Sequence, residues 1–296
     1  MTQVIDSFAD ISAQYDAAFV DLWGCMHNGL TAYPDAVAAM QAFRAAGGLV
    51  ILVTNAPRAW SGVKVQLDQL GVPEDSYDAI ATSGDSARAA MFRGTVGQKV
   101  WFMGEDRDQG FFDPMQLISD PVQVEKVPLD QAEGIVCCGP FDPFADPAVN
   151  RPQFLYAKTR GLKLLCANPD IVVDRGDKRE WCAGALAALY TEMGGESLYF
   201  GKPHPPIYDL ARRRLSNLPE MKGRSVDANR IVAIGDGIRT DILGAQQEDF
   251  DSLFITGGLA ADETGTSPGG QPDAGKVAAY VAREMVTPTY AIGFLR

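Results

Sequence analysis

The stretch Ala17-Ala18-Phe19-Val20-Asp21-Leu22-Trp23-Gly24 decides the fold. Four apolar residues with no polar alternation read as a strand buried on both faces, and the run stops at a carboxylate. Outward from it the same pattern returns. Leu49-Val50-Ile51-Leu52-Val53 ends in Thr54-Asn55, Ala79-Ile80-Ala81 leads into Thr82-Ser83-Gly84-Asp85, and Ile231-Val232-Ala233-Ile234 ends in Gly235-Asp236. Between the first two strands, Pro34-Asp35 opens a helix, with proline at its first position and an acid in its first turn. Val37, Met40 and Phe43 recur at helical spacing, and Gly47-Gly48 ends the helix. A further helix is expected over 61–70. Strands and helices in alternation predict a parallel sheet covered on both faces, the doubly wound α/β class.

The late part of the chain repeats this grammar. Ser197-Leu198-Tyr199-Phe200 runs into Gly201-Lys202-Pro203, and a helix over 206–215 follows. Ile242-Leu243-Gly244-Ala245 is helical, and Leu253-Phe254-Ile255 is a strand. Residues 261–274 read as an exposed loop before a helix over 275–285 and a last strand at Tyr290-Ala291-Ile292. In the middle lies a second set of strands, 99–103, 134–138 and 163–167, with a helix over 182–193 carrying Leu186, Leu189 and Tyr190. Roughly 110 residues can hold a core of their own. The expected organisation is therefore a core domain over 1–87 and 197–296, interrupted by an α/β domain over 88–196.

Composition bounds the function. Of 296 residues, 46% are apolar and 22% charged, as in ordinary soluble globular proteins. The 26 Lys and Arg against 38 Asp and Glu give a formal charge of -12, which repels a phosphate backbone and argues against a nucleic-acid partner. The densest basic run, Arg212-Arg213-Arg214, reads as an exposed helix face. His27 and His204 are the only histidines, so a histidine-rich metal cluster is excluded. Cys25, Cys137, Cys138, Cys166 and Cys182 show no C-x-x-C spacing and read as reduced thiols in a cytoplasmic setting. The polar, acidic first 16 residues lack a signal-peptide pattern. No apolar run approaches the ~18 residues of a membrane helix, so no membrane partner is expected.

In an open parallel sheet the carboxyl ends of the strands share one edge, where ligands bind. Asp21, Thr54, Lys202 and Asp236 are expected at that edge. One apolar run ending in Asp is usually a helix cap; four polar endings in this architecture point to a site. Together, Phe19-Val20-Asp21-Leu22-Trp23-Gly24, Val53-Thr54-Asn55, Gly201-Lys202-Pro203 and Gly235-Asp236-Gly237-Ile238-Arg239-Thr240-Asp241 resemble the four ordered motifs of the haloacid dehalogenase (HAD) superfamily. The insertion, with Thr82-Ser83-Gly84-Asp85 before it and Asn168-Pro169-Asp170 inside it, is similar to that of the class IIA capped phosphatases. The likeness runs from about residue 17 to 258.

That resemblance implies a HAD-like Rossmannoid core with an inserted α/β cap, and Mg²⁺-dependent hydrolysis of a small phosphate monoester of sugar-phosphate or nucleotide type. It implies Asp21 as the nucleophile that forms an aspartyl-phosphate, Thr54 holding phosphoryl oxygens, and Lys202 neutralising charge. Asp21, the Trp23 backbone carbonyl, Asp236 and Asp241 would serve the metal. Asn55, Arg58, Asn168 and Asp170 are candidate substrate contacts. A small phosphorylated metabolite is the implied partner, and capped members often form homodimers. Carboxylates, one lysine and a hydroxyl suit phosphoryl transfer, which needs in-line placement, a hard divalent cation and spread positive charge.

One position departs from the family pattern. Its phosphatases usually carry a second Asp two residues after the nucleophile as general acid and base; here that residue is Trp23. An indole transfers no proton, and such help is worth about 10²–10⁴-fold. Three readings stay open: His27, six residues after Asp21, acts instead; the leaving group needs no proton; or the chemistry is of another kind, dehalogenase-like. A low-turnover binding or regulatory protein that retains the pocket is the alternative from another class. His204 is read as orienting the Lys202 loop, Arg239 as ordering the Asp236–Asp241 loop, and Glu105-Asp106-Arg107-Asp108 as a solvated loop.

Overall fold

A computed structural model describes residues 2–115, 118–175, 178–222 and 224–296. In chain order its strands are β1 (Gln3–Val4), β2 (Ala17–Val20), β3 (Leu49–Thr54), β4 (Ala79–Thr82), β5 (Lys99–Met103), β6 (Glu125–Lys126), β7 (Gly134–Cys137), β8 (Lys163–Cys166), β9 (Val172–Arg175), β10 (Lys178–Trp181), β11 (Glu196–Tyr199), β12 (Ile231–Gly235), β13 (Asp251–Ile255) and β14 (Tyr290–Ile292). The expected α/β class is what the chain adopts. Among the described residues no helix is long and apolar enough to cross a membrane.

Two compact units form. The first comprises Met1–Thr54, Lys64–Ala81 and Tyr208–Arg296; the second comprises Asn55–Val63 and Thr82–Ile207. These divisions differ from the expected 87/88 and 196/197. The segment after β3 is bonded to residues of the second unit: Gly84 N–H donates to the Ala56 carbonyl (3.0 Å) and the Thr82 hydroxyl to the Arg58 carbonyl (2.7 Å). Ala87 and Met91, on the helix Ser83–Met91, pack into that unit's core as well.

The first unit holds a seven-stranded sheet in the order β1-β14-β13-β12-β2-β3-β4. Strands β1 to β3 of that order run parallel, with β4 at the edge. Strands β2 and β12 are buried throughout, which is why their sequences read as unbroken apolar runs. From β2 the chain builds outward through β3 and β4; the later strands build outward on the other side through β12 and β13. The order therefore reverses between β2 and β12, the switch point where open α/β sheets leave a crevice at the strand ends.

The helix Pro34–Ala45 begins as expected, with proline at the start, and buries Ala36, Met40 and Phe43. Its inward stripe thus starts at Ala36 rather than Val37. Gly47 adopts φ +97°, and a Cβ on Gly48 would stand 2.4 Å from the Phe43 ring, so the two glycines end the helix by conformation and by space. One further expectation is corrected: within 261–274, Ala261–Thr264 is a short helix. The Thr264 hydroxyl is turned inward, bonded to Ala260 O (2.8 Å) and to the Thr266 hydroxyl, so the segment is not simply exposed.

The second unit has a five-stranded parallel sheet, β11-β8-β7-β5-β6, and a separate antiparallel hairpin, β9-β10. One core packs Phe154, Leu186 and Tyr190 against Ile135 and Leu164; the other packs Met91 and Phe111 against Val136 and Leu165. Alternating residues of β7 and β8 go to opposite cores, as the pleat requires. The run Glu105-Asp106-Arg107-Asp108 is also corrected. Asp108 is buried, and its carboxylate accepts the Glu105 N–H (3.0 Å) at the head of the turn Asp106–Phe112.

Candidate active site

Asp21 follows β2 and Asp236 follows β12, so the two carboxylates flank the switch point of the first unit's sheet. The Asp21 N–H continues the strand pairing by donating to the Ile234 carbonyl (2.8 Å). Both carboxylates are buried, and each offers an oxygen within 4.8 Å of the other and of the Cys25 Sγ. Asp236 is held from several sides. The Leu259 N–H donates to its Oδ2 (3.2 Å), and a Cβ on Gly24 or Gly258 would stand 2.3 or 2.0 Å from that oxygen. Only glycine lets the backbone approach so closely, and Gly24 also takes φ +76°. Two hard oxygen donors in such a cradle are the donor set that a small divalent cation prefers. Thr54 closes β3, the strand on the other side of β2.

Asp241 lies in the loop after β12. Its Oδ2 accepts the Gly237 N–H (3.1 Å) and the Thr240 hydroxyl (3.3 Å), and a Cβ on Gly235 would strike its Cγ at 2.1 Å. Asp241 thereby shapes the loop that presents Asp236. Arg239 acts on the same loop from outside, donating from Nε to Glu284 (2.9 Å).

Trp23 and His27 form a small aromatic unit in the loop after Asp21. Their rings meet edge to face, with centroids 5.5 Å apart. Gly29 (φ +82°) presses on the indole, where a Cβ would stand 2.2 Å from the ring. His27 is 2% exposed, and burial pushes its pKa down to about 4. Its Nδ1 accepts the Gly29 N–H (3.1 Å), which leaves the neutral ring with a donor at Nε2 and no lone pair to take a proton.

In the second unit Asn55 is a clamp. Its Oδ1 accepts the Lys202 N–H (2.7 Å), and its Nδ2 donates to the Asp170 carboxylate (2.8 Å) and to the Lys202 carbonyl (3.3 Å). A Cβ on Gly201 would stand 2.4 Å from that Oδ1, so glycine permits the bond. The Asp170 N–H donates to Asn168 Oδ1 (3.0 Å). Asn168 and Arg58 in turn line one small cleft, of about 90 Å³, together with Arg107, Glu180 and Trp181. The His204 ring stacks on Tyr199 with centroids 4.7 Å apart. A larger cavity, about 480 Å³, lies at the other end of the first unit's sheet, beside Asp16, Leu49 and Asp78, and holds none of the expected site residues.

Asp21 and Asp236 thus come together in one unit, with Asp241 behind them, and Asn55, Asp170 and Lys202 come together in the other. Cys25 and Tyr33 were not singled out by the sequence. Tyr33 is half-buried, and its pKa is raised by burial and by Cys25 and Asp236. A signal for Cys25 existed in its place four residues after the carboxylate, within a glycine-bearing turn.

Comparison with known proteins identifies the family. Residues 18–117 match the family described as haloacid dehalogenase-like hydrolase, and residues 199–283 match the HAD-hydrolase-like family. A hydrolase of the haloacid dehalogenase-like family from Brucella suis 1330 is 38% identical, covers 99% of this chain and 100% of its own, and superimposes with a TM-score of 0.83. The ribonucleotide monophosphatase NagD of Escherichia coli K12 is 24% identical over 243 residues, 81% of this chain and 87% of that protein. A glycerol phosphate phosphatase of Mycobacterium tuberculosis, solved in complex with magnesium, shares the fold with 21% identity and a TM-score of 0.62, over 88% of this chain and 75% of that one. The chain belongs to the haloacid dehalogenase-like hydrolases. Within them it is of the capped class IIA kind, a hydrolase whose second α/β unit is inserted in the core.

Proposed function

We propose that this protein hydrolyses a small phosphate monoester, of the sugar-phosphate or nucleotide type, with the Asp21 carboxylate as nucleophile. The observation that carries the reading is the pair Asp21 and Asp236, buried at the ends of adjacent parallel strands with oxygens within 4.8 Å. The relatives named for ribonucleotide and glycerol phosphate substrates support it. Asp21 attacks phosphorus, and the alcohol leaves as its bond to phosphorus breaks. Lys202, whose backbone Asn55 fixes, supplies positive charge for the phosphoryl oxygens, and Thr54 donates to one of them. Asp21, Asp236 and the Trp23 carbonyl would hold Mg²⁺, with Asp241 ordering the loop; the cation supplies neutralisation of developing negative charge when bound.

Proton transfer is the weak point of this site. Trp23 has no acid to offer, and His27 has its lone pair engaged by Gly29. We infer that His27 supports the loop, and that the enzyme favours esters whose alcohol leaves without a proton. Water then opens the aspartyl-phosphate slowly. A time course with p-nitrophenyl phosphate and Mg²⁺ tests this. The expected result is a burst of about one nitrophenol per chain followed by slow turnover, with both phases lost in Asp21→Asn. Fast, linear release from the first turnover would mean that another group acts as base, and no release would remove the phosphatase reading for this ester.

A further inference from the structure

The five thiols are not equivalent. Cys137 and Cys166 lie in strands of the second unit, and Cys138 and Cys182 directly follow β7 and β10; burial pushes Cys137, Cys138 and Cys166 up. The Cys137 and Cys166 thiols point at the carbonyls of Gly139 and Asn168 (3.8 and 3.3 Å). Cys25 is elsewhere: 1% exposed, on the loop that carries Asp21, with Sγ within 4.8 Å of carboxylate oxygens of both Asp21 and Asp236. A site built for a hard cation has no use for sulfur, which prefers softer metals. Two ligands on one tetrahedral zinc, with bonds of about 2.3 Å to sulfur and 2.1 Å to oxygen, sit on the order of 3.6 Å apart. The observed spacing, within 4.8 Å, exceeds that by no more than about 1.2 Å.

We propose that Cys25 is a third protein donor at the Asp21–Asp236 pair, which makes it a two-carboxylate, one-thiolate site for thiophilic divalent cations such as zinc. On binding, the S–H bond breaks, the sulfur electron pair goes to the metal and the proton goes to solvent. Zinc then binds more tightly than Mg²⁺, because the sulfur adds a donor that Mg²⁺ does not use. The proposal rests on the reading of Asp21 and Asp236 as the metal pair.

The test uses the full-length reduced protein and zinc itself. X-ray absorption of the 1:1 zinc complex should show one sulfur at about 2.3 Å. Chelator competition should show zinc affinity lowered at least about tenfold in Cys25→Ser, a loss no smaller than outer-shell changes give, with Mg²⁺ affinity unchanged. Asp236→Asn, which keeps the thiol, should weaken both metals. An oxygen- and nitrogen-only shell, or zinc affinity unchanged in Cys25→Ser, overturns the role of Cys25. If Asp236→Asn leaves Mg²⁺ binding unchanged, the metal-pair reading itself fails, and that result is distinct from the first.

Discussion

His27 shows what a single residue's surroundings decide. By type it is the side chain suited to proton transfer near neutral pH. In place, it is packed against Trp23, bonded through Nδ1 to Gly29 and depressed to about 4 by burial. The sign of its effect on stability follows. Below pH 6.5 the unfolded chain takes up a proton that the folded chain refuses, so stability falls as pH drops and levels off only below about pH 4. At 1.36 kcal/mol per pK unit, the shift from 6.5 to about 4 is worth about 3 kcal/mol across that window. Urea unfolding of wild type and His27→Gln at pH 7, 5 and 4 should show a shallower acid loss in the variant. Parallel losses would mean that the ring is not held neutral. The sequence showed His27 near Asp21 but not the Gly29 bond, because a turn's hydrogen bonds depend on backbone dihedrals that residue identity only biases.

The elements that carry the site are strand ends and the loops after them, and these differ in how legible they are. β2, β3 and β12 were readable because buried parallel strands permit no alternation. The hairpin β9-β10 was not: Lys178-Arg179-Glu180-Trp181 gives no buried run, and its pairing is local. The helix Arg151–Thr159 buries only Phe154 and Ala157, too few positions to mark a helical stripe. The sequence marks Asn55 as a candidate substrate contact but does not show its bonds to Lys202 and Asp170, which span more than a hundred positions. At the scale of the loop after β2, Trp23→Asp restores the acid that the family pattern carries. Opening of the aspartyl-phosphate should speed up by about 10²–10⁴-fold. Stability should fall, since the indole fills the space beside Gly29 and His27. Rapid-quench measurement of the burst checks it: a burst that persists unchanged in Trp23→Asp would show that the missing acid is not what limits turnover.

For the whole molecule, the class and the order of motifs were legible, and the division into units was less so. Apolar periodicity reports which segments are buried but not against which neighbour. The sequence alone left Asn55–Val63 with the core, while its bonds to Thr82, Asp85 and Asp170 tie it to the second unit. The same division makes the metal's effect on stability specific. Asp21 and Asp236 both belong to the first unit, with carboxylate oxygens within 4.8 Å of each other. A divalent cation that binds this pair only in the folded chain stabilises the fold. By mass action, Mg²⁺ at a hundred times its dissociation constant adds about 2.7 kcal/mol. Thermal unfolding followed across a Mg²⁺ titration should therefore rise by several degrees in wild type. In Asp236→Asn one of the two carboxylate ligands is lost, so added Mg²⁺ should barely move the melting temperature. Equal Mg²⁺ shifts in both proteins would place the cation elsewhere and remove the pair from the catalytic reading.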